Sequence, residues 1–401
     1  MKPSFHIYNV LRPLGWLYGL GAGIRNIMYD NRMLKSQSFS IPVISIGNIT
    51  VGGTGKTPHT EYLAGLLKEK ADTAVLSRGY GRRTKGFILS DTRSCSGLIG
   101  DEPLQIKRNF PDIDVAVCED RAKGIKRLID ICNPRVIILD DAFQHRSIKP
   151  SLNILLVNYH RNILDDAMLP AGRLRESAKG RRRADVIIVS KCPSNLPASE
   201  MDRLESMLAV SEGQQVFFTT LEYGSICHMD GRNVSPAPDC PILAVTGIAF
   251  PEPMIGELRT THNLVKTLSY PDHHSFSRQD LQEMESALGS MPPGSVIVTT
   301  AKDAARLSGM DLSDTLKEKI FVLPVKPAFL RDQDRFDNMI IGAANCGGDS
   351  DAIAAMAGAM FGAWFGLASI PEKWFEKLEG YEEIKLLACN IYRIAIPETA
   401  V

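Results

Sequence analysis

The chain has 401 residues, of which 44% are hydrophobic and 23% are charged, ordinary values for a globular protein long enough for two domains. Its formal net charge is zero, so no overall positive field attracts nucleic acid, and an anionic partner must be met by a local group of cations. The eight cysteines occur singly, without a C-x-x-C pair. This spacing argues against a structural zinc site and a secreted disulfide framework, and it favours a reducing cytoplasm.

Residues 1–36 are predicted to form a separate N-terminal helix. Its uncharged core, residues 13–24, is too short to cross a bilayer and does not fit a cleavable signal. Arginines and a lysine flank this core, and Trp16, Tyr18 and Tyr29 lie within the segment. Such a composition is typical of a helix lying among anionic lipid headgroups. A helix packed on the protein's own surface is the alternative, and these residues alone do not decide between the two.

A first α/β domain is predicted over residues 37–222. Short runs rich in Val, Ile and Leu alternate there with amphipathic stretches, as in βαβ units whose parallel strands are covered on both faces. The predicted strands cover residues 41–47, 72–79, 112–120, 134–141, 152–159 and 184–191. This pattern predicts a doubly wound, mostly parallel sheet.

Between the first predicted strand and a helical stretch, residues 50–57 read TVGGTGKT, which is typical of a phosphate-binding loop. Glycines let backbone N–H groups converge on phosphate oxygens, and the following helix directs its positive end at the same charge. Lys56 is expected to reach the β- and γ-phosphates, and the Thr57 hydroxyl to bind Mg²⁺. A glycine-rich hairpin without a ligand is the alternative. The residues predicted to bind the nucleotide are Thr50, Val51, Gly52, Gly53, Thr54, Gly55, Lys56 and Thr57.

Two carboxylates follow the four-residue apolar run VIIL, at Asp140 and Asp141. The carboxyl edge of a parallel strand beside a phosphate-binding loop is where a Mg²⁺ ligand is needed. A helix cap is the alternative for this pair.

Two further segments contain candidate acid–base groups. Asp101 and Glu102 follow a turn and precede a helical stretch, where they fit either a helix N-terminus or a general base. Asp272, His273 and His274 lie in a turn after a proline, and they fit either a base with its orienting partner or a solvated turn.

Basic residues are concentrated in PAGRLRESAKGRRR, residues 170–183, where six cations surround Glu176. The cluster fits a site for a substrate phosphate, with a solvated surface as the alternative. A second basic loop with an aromatic residue, SRGYGRRTKG, covers residues 77–86.

From about residue 220 the composition shifts to Gly, Pro, Ser and Asp, which indicates a domain junction. A second, smaller α/β domain is predicted over residues 223–332, on the runs ILAVTGIA, PGSVIVTTAKDAARL and KIFVLPVKP.

Taken together, these motifs resemble the tetraacyldisaccharide 4′-kinases of lipid A synthesis. The resemblance covers about residues 8–330 and includes GNITVGGTGKTP, SRGYGR, GDEP, CEDRAKG, LDDAFQHR, LPAGRLRE, GIAFPEP, DHHSFS and TTAKDAARL. It implies a P-loop NTPase-like fold, with ATP and Mg²⁺ as cofactors. The implied reaction transfers the γ-phosphate to the 4′-hydroxyl of an acylated glucosamine disaccharide 1-phosphate and gives lipid IVA. The implied location is the cytoplasmic face of the bacterial inner membrane, with peripheral membrane contact.

The resemblance also implies roles for individual residues. Asp101 becomes the base at the sugar hydroxyl, tuned by His273, and Lys56 a catalytic cation. The implied Mg²⁺ site consists of Thr57, Asp140, Asp141 and Glu176. The implied substrate-binding residues are Arg78, Tyr80, Arg121, Arg173 and Arg175.

Residues 333–401 are predicted to be a helical C-terminal appendage. It resembles a fragment of ADP-ribosylglycohydrolases through GGDSD, in which Asp349 and Asp351 stand without that family's other acidic ligands, so no glycohydrolase activity is expected. Residues 352–370 are uncharged, and a tightly packed soluble helix or a transmembrane helix would fit them.

A nucleotide switch or partitioning ATPase is the alternative function. Loops of the KGG-x-GKT type carry a lysine where this chain has Val51, and a GTPase would need N-K-x-D, whereas this chain has Ala301 within TAKD. A switch would turn over nucleotide alone, whereas a kinase would be nearly idle without its acceptor.

Overall fold

In a computed structural model of the chain, the described residues are 5–91, 93–211, 213–232, 234–272 and 274–345. The chain divides into two compact units, residues 1–348 and 349–401, and the second lies outside the described residues. Three sequence predictions fall outside the described residues: the role of His273, the GGDSD fragment, and the nature of the uncharged stretch 352–370.

The described residues form β-strands and α-helices in the following chain order. The strands are β1 Val43–Gly47, β2 Thr73–Ser77, β3 Ile88–Leu89, β4 Asp114–Val117, β5 Val136–Asp140, β6 Leu152–Asn158, β7 Val186–Ser190, β8 Gln215–Tyr223, β9 Cys227–His228, β10 Ile242–Thr246, β11 Leu264–Ser269, β12 Val296–Thr299, β13 Ile320–Val322 and β14 Val325–Phe329. The helices are α1 Phe5–Asp30, α2 Lys56–Lys68, α3 Ser96–Ile99, α4 Asp101–Asn109, α5 Arg121–Cys132, α6 Ala198–Leu208, α7 Glu252–Thr261, α8 Arg278–Gly289, α9 Ala301–Leu307, α10 Asp314–Lys319 and α11 Gln333–Asn345.

The larger sheet has nine strands in the order β14-β8-β7-β6-β1-β5-β2-β4-β3. All pairs from β8 to β4 are parallel, and only the edge pairs β14/β8 and β3/β4 are antiparallel. The chain order reverses around the central β1, with strands added first on one side and then on the other. The prediction of a doubly wound, mostly parallel sheet is confirmed.

Helices cover both faces of this sheet, which is why its central strands are apolar on both sides. Ile44 and Ile46 of β1 belong to a core shared with Leu63 of α2, whereas Val43 packs in a separate core with Leu128 of α5. This alternation along one strand holds α2, with the loop before it, on one face of the sheet.

The smaller sheet has five strands in the order β11-β10-β12-β13-β9, with only β13/β9 antiparallel. We refer to the described residues from 227 to 322, which contain this sheet, as the smaller lobe, and to the other described residues as the larger lobe. The second α/β unit predicted from sequence is therefore present.

The predicted boundary at residue 332 needs a correction. Strand β14 pairs with β8 of the nine-stranded sheet, and α11 packs on the same sheet through Phe336 and Ile340. Phe336 meets Phe217 and Phe329 in an aromatic cluster, with ring centroids 5.1 and 4.6 Å apart. Residues 325–345 therefore belong to the larger lobe, because burial of these rings brings the chain back after the smaller lobe.

Helix α1 carries a row of exposed apolar side chains, with Trp16 75% and Leu17 66% exposed. Its C-terminal part is tied to the larger lobe, where Arg146 pairs with Asp30 at 2.6 Å and donates to the Asn26 carbonyl at 2.9 Å. Within the described ranges, no helix has the length and apolar character needed to cross a membrane.

Candidate active site

The loop between β1 and α2 is built for a close approach of its backbone to a ligand. Gly52 and Gly55 have φ values of 99° and 79°, a region that favours glycine. Inside the loop, the buried Asn48 side chain donates to the Thr54 hydroxyl at 2.7 Å. Gly55 precedes α2 and provides no side-chain cap, so the helix start presents its N–H groups to an anion.

The carboxyl ends of β6 and β7 hold this loop in place. Asn158 donates to the Gly53 carbonyl at 3.2 Å, and the Ser190 hydroxyl donates to the Thr54 carbonyl at 2.8 Å. From α2, the buried His59 places Nδ1 2.7 Å from the Gly55 carbonyl oxygen and Nε2 3.0 Å from the Thr219 hydroxyl. Burial lowers the pKa of His59 to about 4, so its ring is neutral at physiological pH.

Lys56, the first residue of α2, lies beside the end of β5. Its Nζ is 3.6 Å from a carboxylate oxygen of Asp141, and Arg175 lies 3.3 Å from the other oxygen. Burial of Asp141 opposes ionisation, but these two cations hold its pKa below the usual value. The candidate phosphate-binding lysine and one candidate metal ligand are thus together.

Asp140 is buried beneath this pair. It accepts hydrogen bonds from the hydroxyls of Thr60 at 3.1 Å and Ser77 at 3.0 Å. Burial, together with the negative charges of Glu102 and Asp141, raises the pKa of Asp140 to about 6. A carboxylate in this environment is stabilised by an added cation.

The donors at this edge fit Mg²⁺ in chemical type. Carboxylates at the end of β5 and the hydroxyl of Thr57 are hard oxygen ligands, and Mg²⁺ commonly takes only one or two protein carboxylates and completes its shell with phosphate and water. No group of three or more His, Cys, Asp or Glu side chains that could hold a metal occurs among the residues that the structure describes, and the Mg²⁺ site stays a prediction.

Arg121 and Glu176 both contact other groups of the protein near this site. The buried Arg121 guanidinium donates to the carbonyls of Cys118 at 2.6 Å and Asp140 at 3.2 Å, and burial lowers its pKa to about 10. Glu176 is buried and pairs with Arg183 at 2.9 Å. The predicted roles of Arg121 in substrate binding and of Glu176 in metal binding stay predictions.

The segment 173–175 is joined to the loop through its backbone. Val51 N–H donates to the Arg173 carbonyl and Arg175 N–H to the Ile49 carbonyl, both at 2.8 Å. This pairing places two predicted substrate cations next to the nucleotide loop. Arg78 and Tyr80, both exposed, follow the carboxyl end of the neighbouring β2.

Asp101 is the first residue of α4, and a cation from the smaller lobe pairs with it. Arg306 Nε donates to Asp101 at 2.7 Å, and the same guanidinium donates to Asp303 at 2.8 Å and to the Gly247 carbonyl at 3.0 Å. Beside it, Lys302 lies 3.3 Å from Glu102. No role is predicted for Arg306 from the sequence, although it lies in TTAKDAARL, one of the motifs that carry the family resemblance.

The turn containing the histidine pair is described only in part. His274 lies 3.0 Å from Asp280 of α8 and stacks on Tyr270, with ring centroids 4.7 Å apart. These contacts give His274 a structural role at the start of α8. The predicted partnership between Asp101 and His273 stays a prediction.

Comparison with known proteins agrees with the motifs. A family model described as tetraacyldisaccharide-1-P 4′-kinase matches residues 7–345. The tetraacyldisaccharide 4′-kinase of Bacteroides fragilis strain YCH46 is 46% identical over 359 residues, which cover 84% of this chain and 94% of that protein. Its counterpart in Phocaeicola vulgatus is 46% identical over 341 residues, which cover 82% and 92%. The crystal structure of "apo" form LpxK from Aquifex aeolicus in complex with ATP superposes with a TM-score of 0.68 at 30% identity, covering 84% of this chain and 99% of that one.

Proposed function

The chain belongs to the tetraacyldisaccharide-1-P 4′-kinase family, and we propose how its residues transfer the γ-phosphate of ATP to the 4′-hydroxyl of the acylated disaccharide 1-phosphate. Phosphate transfer of this kind depends on positioning and charge neutralisation, with one acceptor for the hydroxyl proton. The observation that carries the proposal is the convergence of Lys56, Asp140 and Asp141 beside the glycine loop.

The loop residues 50–57 bind the phosphate chain of ATP. Backbone N–H groups and the start of α2 contact its oxygens, and Lys56 leaves Asp141 to reach the β- and γ-phosphates. The loop is pre-organised for this task, because the ends of β6 and β7 and the neutral His59 already fix its backbone.

Asp140, Asp141 and Thr57 would hold Mg²⁺, with Glu176 as a further candidate carboxylate. When bound, Mg²⁺ neutralises negative charge on the phosphates. Hydrogen bonds from two hydroxyl donors hold the carboxylate of the buried Asp140 in one orientation.

Asp101 accepts the proton of the sugar hydroxyl, and His273 assists it. Asp101 begins helix α4, so its backbone position is set by the helix. The hydrogen bond from Arg306 of the smaller lobe also restricts the orientation of its carboxylate. Four cations and one aromatic residue bind the phosphate and sugar groups of the substrate: Arg78, Arg121, Arg173, Arg175 and Tyr80.

The protein works at the cytoplasmic face of the inner membrane. Helix α1 is the part that contacts lipid, because Trp16, Leu17, Leu20 and Ile24 are all more than half exposed, a costly arrangement in water. Such contact lets the acyl chains of the substrate remain in the bilayer while the sugar reaches the site.

The test is incubation of the purified chain with labelled ATP and the tetraacylated disaccharide 1-phosphate in detergent or vesicles. We expect a bis-phosphorylated lipid, little hydrolysis without acceptor, and loss of the product in Lys56→Met. Acceptor-independent hydrolysis with no labelled lipid would instead mean that the chain acts as a nucleotide switch.

A further inference from the structure

Two cations lie over the glycine segment of the phosphate-binding loop, at positions that the roles given above do not use. A Cβ built on Gly52 would be 3.7 Å from Arg161 Nη1, and one on Gly53 would be 3.4 Å from Lys191 Nζ. Both cations therefore lie close to the glycine segment of the loop.

Phe250, an aromatic residue of the smaller lobe, lies close to both cations. The Arg161 guanidinium carbon lies 4.3 Å from the centroid of the Phe250 ring, and Lys191 Nζ lies 5.8 Å from it. Phe250 belongs to the segment GIAFPEP between β10 and α7 and is 39% exposed. A ring face attracts cations while leaving their outer sides open to an anion.

Neither cation has an anionic partner within the part of the chain that the structure describes. By contrast, the nearby Lys56 and Arg175 both contact Asp141. Burial lowers the pKa of Lys191, the direction expected for an ammonium group removed from water without compensation. A bound anion would remove this penalty.

The backbone fixes both cations relative to the loop. Arg161 follows β6, and its N–H donates to the Asn158 carbonyl at 3.0 Å, while Lys191 directly follows Ser190 at the end of β7 with φ 61°. Asn158 and Ser190 are the two residues whose side chains hold the loop. Both cations thus follow the same two strand ends that hold the loop.

We propose that Arg161 and Lys191 bind the polyphosphate chain of ATP at Gly52 and Gly53, and that Phe250 holds them there from the smaller lobe. This rests on the proposed role of the loop as the ATP site. Together with Lys56, the two cations neutralise negative charge on the phosphate that is transferred. In other phosphate-transfer enzymes, an arginine supplied from elsewhere in the chain has this role.

The experiment compares Arg161→Met and Lys191→Met with Arg127→Met, a matched control in which an exposed arginine on α5 lies 5.7 Å over the Phe87 ring. Binding of ATP, ADP and AMP to the full chain is measured by titration, and kcat and both KM values are measured with ATP and the lipid. We expect each of the two variants to bind ATP and ADP about 10-fold or more weakly, from the loss of one charged contact. AMP binding, the control variant and the thermal midpoint should change little, and Lys191→Arg should retain most of the affinity.

Two results would overturn the proposal. Unchanged ATP and ADP affinity and unchanged kcat in both variants would mean that the cations do not contact the nucleotide. A rise confined to the KM of the lipid, absent with an acceptor lacking the 1-phosphate, would assign them to the lipid phosphate. If Lys56→Met alone loses turnover while both variants remain like wild type, the proposed function stands and this inference fails.

Discussion

A partly buried carboxyl between the nucleotide helix and the helix of the candidate base should make stability depend on pH. Glu61 of α2 accepts hydrogen bonds from Gln105 at 3.0 Å and Asn109 at 2.7 Å, both on α4. Burial raises the pKa of Glu61 from 4.5 to about 7, although the two amide donors oppose the rise. The folded state therefore favours the protonated carboxyl, because the cost of burying the charge outweighs the two amide hydrogen bonds.

The sign and size of the effect follow from the two pKa values. A folded-state pKa above the unfolded one gives a stabilising contribution that is fully present below about pH 4.5 and is lost as pH rises through about 7. The difference corresponds to at most about 3–4 kcal/mol, since one pKa unit is worth about 1.4 kcal/mol. Glu61→Gln keeps an acceptor for both amides and removes the charge, so it should stabilise the protein by up to that amount at pH 8 and by little at pH 4.5.

Urea unfolding at several pH values between 4.5 and 8 measures this difference. The matched control is Glu69→Gln, just beyond α2, because the Glu69 side chain is 71% exposed and should respond weakly to pH. Equal pH dependence of the wild type and Glu61→Gln would refute the reasoning, as would a stabilisation of Glu61→Gln that is largest at low pH.

Three other variants test the assignments. Asp101→Ala should lower kcat by about 10²–10⁴ with ATP binding retained, because a general base contributes in that range, and a kcat near wild type in a steady-state assay would place the base elsewhere. Arg306→Met should lower kcat about 10-fold or more through loss of its charged contact to Asp101, with little change in the KM of ATP. Arg306→Lys should recover part of the lost kcat. Equal defects in both variants would argue for a purely structural role. Deletion of residues 349–401 should leave kinase turnover intact, because the family match ends at residue 345, and a large loss of turnover in folded protein would show that the tail takes part.

Much of the fold could be predicted from local patterns. The apolar runs at β1, β5 and β7 are buried on both sheet faces, and this requirement is visible in the residues themselves. Strands at the sheet margin carry a weaker signal, and β8 and β14 were not identified. Strand β14 contains Pro327 and pairs only at an edge, which its sequence does not distinguish from a loop.

The sequence by itself determined the nucleotide loop and the family, because eight adjacent residues and a series of short motifs carry that information without reference to distant contacts. Only the tertiary structure decided how the site is assembled. Arg306 meets Asp101 across 205 positions, His59 meets Thr219 across 160, and Phe250 meets Arg161 from another lobe. Such pairs depend on how loops close and helices pack, and neither can be predicted from the hydrophobic periodicity of a single segment.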